Sequence, residues 1–180
     1  MSGRTWILGH AEDMRRQRAA TVWIAAGGTA LVIAYAGLVA LQILVLNPLA
    51  AAPGKSLTEI EADMAAMNES LGAGFVLGIL GFGVLLALFL LVLLAMSRDA
   101  TPIAAAYSYL AMIMLGAPVY WVASFGAGMG LADTYGISGG DHSGWALVLY
   151  LTSLAALVAI VGLLAVRSGR RDATVEGAAA

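Results

Sequence analysis

Charged and uncharged residues follow one another along this chain in long blocks. Four segments contain no Lys, Arg, Asp or Glu: 19–54, 70–97, 100–132 and 142–166. Each can hold the roughly 20 apolar residues that a helix needs to cross the hydrocarbon core of a bilayer. The pattern therefore predicts an all-α membrane protein, a four-transmembrane-helix bundle with spans at about 21–46, 71–96, 102–125 and 145–166.

The composition supports the same class. Hydrophobic residues make up 61% of the chain and charged residues 11%, whereas a soluble domain carries roughly 25% charged residues. The basic residues are nearly all arginine, and alanine and glycine are abundant, which is typical of a high-GC bacterial genome. We therefore predict a bacterial cytoplasmic (inner) membrane protein. The absence of cysteine excludes disulfides and thiolate metal sites.

The charges outside the spans predict the orientation. Eight arginines and five acids lie in the N-terminal tail, the hairpin around 97–102 and the C-terminal tail, whereas the other side has one lysine and six acids. Because basic residues near the spans favour the cytoplasm, we predict that both termini are cytoplasmic. Arginines before residue 19, and the length of the apolar run after them, favour a retained first helix over a cleaved signal peptide.

The sequence divides into three parts. Residues 19–166 form the transmembrane domain, and residues 167–180 form a cytoplasmic tail that we expect to be disordered. Residues 1–18 are either a helix lying on anionic lipid or a tail whose arginines anchor the first span. The first interpretation rests on apolar residues at near-helical spacing: Trp6, Ile7, His10, Ala11 and Met14.

The first outer loop contains the signature of a short amphipathic helix at about 57–68. Ser56 and Glu59 fit a capping box, in which the serine oxygen and the glutamate carboxylate accept from free amides at a helix start. One apolar stripe follows, formed by Leu57, Ile60, Met64, Met67 and Leu71. This helix either docks a partner or covers the bundle, or it leads the chain back into the second span.

Prolines and small residues predict bends and contacts. Asn47-Pro48 is expected to end the first span, and Pro118 to kink the outer third of the third span. Small residues let helix backbones approach closely in lipid. The candidate helix-packing positions are Gly74, Gly78, Ala155 and Ala159.

The spans lack the side chains that intramembrane chemistry uses. Without a charged residue or histidine there, proton relays and ion-coupled carboxylate sites have no carrier within this chain. Asp133, Asp141 and His142 are weak candidates for a metal site in the second outer loop, and a flexible polar loop is the better explanation. We predict no metal site, no cofactor and no nucleic-acid binding, and bound lipid is compatible with the pattern.

Polar and aromatic residues in the outer half suggest one ligand pocket. Gln42, Tyr120 and Trp121 all fall in that half, where they could line a site for an apolar molecule. Packing between helices explains the same residues without a ligand.

Three functions remain compatible with the sequence. The first is a non-catalytic accessory, stabilising or regulatory subunit of a larger membrane complex, in contact with lipids and with other subunits or copies of itself. The alternatives are a protein that binds or transports an apolar small molecule, such as a lipid or quinone, and an oligomeric pore. The sequence favours a non-enzyme because it offers no set of reactive groups.

Overall fold

Every regular element in the part of the chain that the structure describes is a helix. A computed structural model describes the backbone of residues 3–179 and the side chains of residues 12–168. The elements are α1 (Gly3–Leu41), a π-helical turn (Gln42–Leu46), α2 (Asn47–Ala51), α3 (Leu57–Ala66), α4 (Ala73–Met96), α5 (Pro102–Met114), α6 (Gly116–Tyr135) and α7 (Trp145–Ala179).

Four helical stretches are long and apolar enough to cross a membrane. They are Glu12–Ala51, Ala73–Met96, Pro102–Tyr135 and Trp145–Ser168. The prediction of an all-helical chain with four apolar spans is thereby confirmed. Within the described residues, the spans leave large apolar side chains on their outer surfaces, including Trp23, Phe82 and Leu85.

The first helical stretch does not end at Asn47-Pro48 as the sequence suggested. The Asn47 amide donates to the Gln42 carbonyl, five residues back, so the helix widens by one residue there. Pro48 then lies in the first turn of α2, directly after this wider turn. The helical path consequently continues to Ala51.

The third stretch is interrupted at one residue, upstream of Pro118. α5 ends at Met114 and α6 begins at Gly116, with Leu115 between them. Pro118 has no N–H to donate to the Met114 carbonyl, so a continuous helix would lose that hydrogen bond. α6 then continues to Tyr135 through residues 126–135, which the sequence had suggested were loop.

Both terminal segments continue as helix. α1 begins at Gly3, and α7 runs to Ala179 through the tail that the sequence predicted to be disordered. The apolar face predicted for Trp6, Ile7, His10 and Ala11 lies outside the side chains that the structure describes. Of the flanking arginines, Arg15, Arg16 and Arg18 are exposed.

Close contacts set how the spans pack. α1 packs against α4 and α5, and α5 packs against α7. At Gly28, an added Cβ would lie 2.3 Å from Cγ of Tyr109, so only glycine permits this approach of α1 and α5. At Gly116, an added Cβ would lie 2.6 Å from Cε1 of Tyr35, so the Tyr35 ring fills the space beside this glycine.

α3 covers one end of the spans. Its capping box is formed, with the Glu59 amide donating to Ser56 Oγ and the Ser56 amide donating to Glu59 Oε2. Ile60 and Met64 are completely buried, and the Met64 methyl contacts Gly130 of α6. We call this end, with α2, α3 and the 136–144 loop, the acidic end. The opposite end, with Arg18 and the 97–101 hairpin, is the arginine end.

Candidate functional site at the acidic end

Asn47 holds the 136–144 loop against the end of the first span. Its side-chain oxygen accepts hydrogen bonds from the backbone amides of His142 (2.7 Å) and Ser143 (3.3 Å). Asn47 is 7% exposed, so these bonds satisfy a buried oxygen that would otherwise be costly. His142 in turn donates from Nε2 to the Ser138 carbonyl at 2.9 Å, which closes the loop on itself.

The loop presents Asp141 to two tyrosine hydroxyls. Tyr120 donates to Oδ1 of Asp141, and Tyr150 donates to Oδ2 at 3.5 Å. The two rings meet edge to face, with centroids 5.5 Å apart. α6 supplies Tyr120, which is 1% exposed, and α7 supplies Tyr150. The carboxylate therefore joins the loop to two separate helices.

Gln42 lies deeper than this carboxylate. It belongs to the π-helical turn and is 0% exposed. Its amide lies beside the Tyr120 hydroxyl but outside the geometry of a good hydrogen bond, and neither amide atom has another partner among the described residues. A buried amide without partners costs roughly 1–3 kcal/mol, and π-helical turns are frequent at functional sites.

The predicted pocket of Gln42, Tyr120 and Trp121 divides into two environments. Gln42 and Tyr120 face the interior together, whereas Trp121 is 60% exposed on the outside of α6. A cavity of about 200 Å³ lies on that outer side, between α6, α7 and the loop. Its lining consists of Asn47, Trp121, Ser124, Phe125, Gly128, Gly139, Gly140, Asp141 and Tyr150.

A second, apolar cavity lies deeper among the spans. Its volume is about 80 Å³, and residues of α1, α4, α5 and α6 line it, among them Val39, Gly83 and Val119. The Tyr35 hydroxyl at its wall is already bonded to Ser153 Oγ at 3.1 Å. Ligand pockets for whole small molecules measure roughly 300–1,000 Å³. A cavity this small can therefore accept only part of a molecule, such as a segment of an acyl chain.

Asp133, Asp141 and His142 do not converge. Asp133 is exposed on α6, Asp141 is held by tyrosines, and the His142 ring is engaged with a carbonyl. Across residues whose side chains are described, no group of three His, Cys, Asp or Glu side chains could hold a metal ion.

Three of the four candidate packing residues are exposed. Gly74 and Gly78 are exposed, and a Cβ added at either would meet no atom within 4 Å. Ala155 is exposed and Ala159 is partly buried. These residues thus leave their helices open to lipid or to another chain, and their role in packing stays a prediction.

Ionised groups at the base of α3 are held by specific partners. Lys55 forms an ion pair with Asp63 and lies 5.3 Å from the centre of the Tyr135 ring. The Lys55 ammonium, together with the Tyr135 hydroxyl, lowers the pKa of the Asp63 carboxyl. The backbone amide and the hydroxyl of Ser56 donate hydrogen bonds to Glu59, and these bonds lower the pKa of the Glu59 carboxyl.

Two residues of this site were not singled out from the sequence as site residues. Asn47 was predicted only to end a helix before proline, and Tyr150 was not singled out at all. A signal for Tyr150 exists, since tyrosine favours the membrane boundary, where its hydroxyl can meet a polar group. The pairing of Asn47 with backbone amides has no sequence signal, because it joins segments 95 residues apart.

Comparisons with known proteins add no assignment to this geometry. The chain matches no protein-family model, no curated protein and no solved structure.

Proposed function

We propose that this chain is a non-catalytic multi-pass protein of the bacterial cytoplasmic membrane. It acts as an accessory, stabilising or regulatory subunit by packing the outward face of α4 against a transmembrane helix of another chain. Both termini face the cytoplasm, and the acidic end faces the opposite side, which the distribution of arginines supports. α3 then covers the outer surface of the spans.

The open glycine face of α4 carries this proposal. Gly74, Gly78 and Gly81 follow one another at spacings of four and three residues, and all three are exposed. None of them would meet an atom within 4 Å if it carried a Cβ. Each glycine costs roughly 1 kcal/mol of helix stability relative to alanine, and no contact with the residues that the structure describes offsets this cost. Close approach of a second helix would offset the cost through packing against these glycines.

Its surroundings support a contact rather than simple lipid exposure. α4 contacts α1 and α6, which leaves most of its circumference outside. Below the glycines the outward face continues with Leu85, Leu88 and Val92, which preserves the same alternation of four and three. That alternation places one residue per turn along a seam of the kind that helix pairs use.

Site-specific photo-crosslinking in native membranes tests the proposal. A photoreactive residue at Gly78 is expected to capture a protein chain, either an unlike subunit or a second copy. The matched control is the same residue at Gly162, which is an equally open glycine on α7. Capture of lipid alone at both positions would overturn the proposal.

A second candidate function is the binding of an apolar molecule. The cavity of about 80 Å³ beside Gly83 and Val119 favours it. A lipid acyl chain fits this volume better than a quinone ring does, so the test is lipid retention. Gly83→Leu is expected to exclude the lipid acyl chain from the cavity. An unchanged set of retained lipids would count against this candidate.

A further inference from the structure

Among the described side chains, the Asp141 carboxylate has no cationic partner. Lys55 is the only basic residue between Arg18 and Arg98, and it is already paired with Asp63. Among the side chains that the structure describes, that ion pair is the only one. Asp141 is therefore held by neutral donors alone, the hydroxyls of Tyr120 and Tyr150.

Aromatic rings line the cavity beside this carboxylate. Trp121 and Phe125 are one helical turn apart on α6, with ring centres 5.8 Å apart, and Tyr150 lies across from them on α7. The cavity volume of about 200 Å³ far exceeds the roughly 10–15 Å³ needed for one water. Aromatic faces attract organic cations through their quadrupoles, by about 0.5–2 kcal/mol per ring.

The fixed position of the carboxylate makes this arrangement more than a chance grouping. Tyrosines from two helices hold the two oxygens of Asp141, and Asn47 holds the backbone of the next two residues. The charge is thus positioned before any ligand arrives, which lowers the entropic cost of binding. An organic ammonium group suits both parts of the cavity, because its charge can pair with the carboxylate and its carbon atoms can contact the aromatic rings.

We propose that the cavity formed by Asp141, Trp121, Phe125 and Tyr150 binds an organic ammonium group. The group comes either from a free amine or quaternary ammonium ion or from the ethanolamine or choline headgroup of a lipid. Its charge lies beside the carboxylate, and its carbon substituents contact the rings. This site is independent of the α4 contact proposed above, so either proposal can fail alone.

Equilibrium dialysis of radiolabelled tetramethylammonium against the full chain in detergent tests the free-ion source, at constant ionic strength set with sodium chloride. Saturable binding is expected, and Asp141→Asn should weaken it by at least about tenfold. The matched control is Asp133→Asn, which removes an equal charge outside the cavity and should bind as the wild type does.

Native mass spectrometry from nanodiscs tests the lipid source. The wild type and Asp133→Asn should retain ethanolamine or choline lipids more strongly than glycerol lipids, and Asp141→Asn should lose the preference. Either arm alone supports the site and identifies the source. Absence of both, or equal binding by Asp141→Asn, overturns the proposal.

A second variant covers the case in which Asp141→Asn fails to fold. Trp121→Leu alters an exposed ring and keeps the carboxylate and both tyrosines. It should weaken ammonium binding several-fold, while the protein keeps its helical circular dichroism. Unchanged affinity in this variant would exclude an aromatic contribution and contradict the site as described.

Discussion

Gly28 of α1 lies directly against the Tyr109 ring of α5, and a Cβ at residue 28 would come within 2.3 Å of Cγ. The Tyr109 hydroxyl makes two hydrogen bonds, with Thr29 Oγ1 at 2.8 Å and with the Ala87 carbonyl at 3.0 Å. One glycine thus allows three spans to meet at a single buried hydroxyl.

Replacing Gly28 by alanine is expected to destabilise the protein. The methyl group must displace the Tyr109 ring and with it the hydrogen bonds to Thr29 and Ala87, at a cost of about 1–3 kcal/mol. Gly27→Ala is the control, because residue 27 has open space and alanine is the better helix former. Unfolding in mixed micelles measures both, and equal stability of the two variants would contradict this packing.

Removing the Asn47 side chain should release the 136–144 loop. Asn47→Leu leaves the amides of His142 and Ser143 without their acceptor, so we expect faster hydrogen exchange at both. Asn47→Asp keeps an oxygen acceptor and should restore much of the protection. If exchange in the leucine variant stayed at the wild-type rate, Asn47 would not be the anchor.

The base of α3 should weaken in acid. The pKa values of Asp63 and Glu59 are lowered from ordinary values of 3.8 and 4.5. Lowered folded-state values mean that the stabilisation is complete above those ordinary values and is lost as the pH falls through the folded pKa values. The protection of the α3 amides, relative to their slower intrinsic exchange in acid, should therefore fall below about pH 4, and Glu59→Gln with Asp63→Asn should remove that pH dependence.

The arginine end should hold anionic lipid. Met14, Arg15, Arg18, Arg98 and Asp99 line an open groove of about 520 Å³, and Arg18 is steadied by the Ala95 carbonyl at 3.2 Å. Phosphate headgroups are attracted by roughly 1 kcal/mol per basic residue near the surface.

The neighbouring Arg16 provides the matched control for this groove, since it does not line it. Arg15→Ala and Arg98→Ala should each reduce retention of phosphatidylglycerol in native mass spectra, whereas Arg16→Ala should have a smaller effect. Equal losses in all three variants would mean that the groove adds nothing to general surface charge.

The four spans could be predicted from the sequence because hydrocarbon excludes charge over lengths that are easy to read. The capping box of Ser56 and Glu59 was equally readable, since its two partners are three residues apart. The effect of each proline was harder to predict: the helix continues past Pro48 through a π-helical turn, and the interruption before Pro118 is confined to Leu115. A proline in the sequence shows that one backbone N–H donor is missing, but it does not show how the backbone adjusts to the loss.

The candidate site was only partly readable for a related reason. Gln42, Tyr120 and Trp121 were chosen as polar or aromatic residues of the outer half, and Asp133, Asp141 and His142 as weak metal-site candidates in the second outer loop. Depth along a span follows from counting residues, so they do lie at one end. Which way each side chain faces depends on how the helices are rotated, and contacts far apart in sequence set that rotation.

We propose that this chain works in contact with another membrane chain. Extraction from native membranes in a mild detergent, followed by native mass spectrometry of the intact particle, tests it most directly. We predict a mass that includes an unlike subunit or a second copy, with Gly74→Ile and Gly78→Ile shifting it to the single chain and Gly162→Ile leaving it unchanged. A stable single chain from the wild type, with lipid as its only companion, would contradict the account.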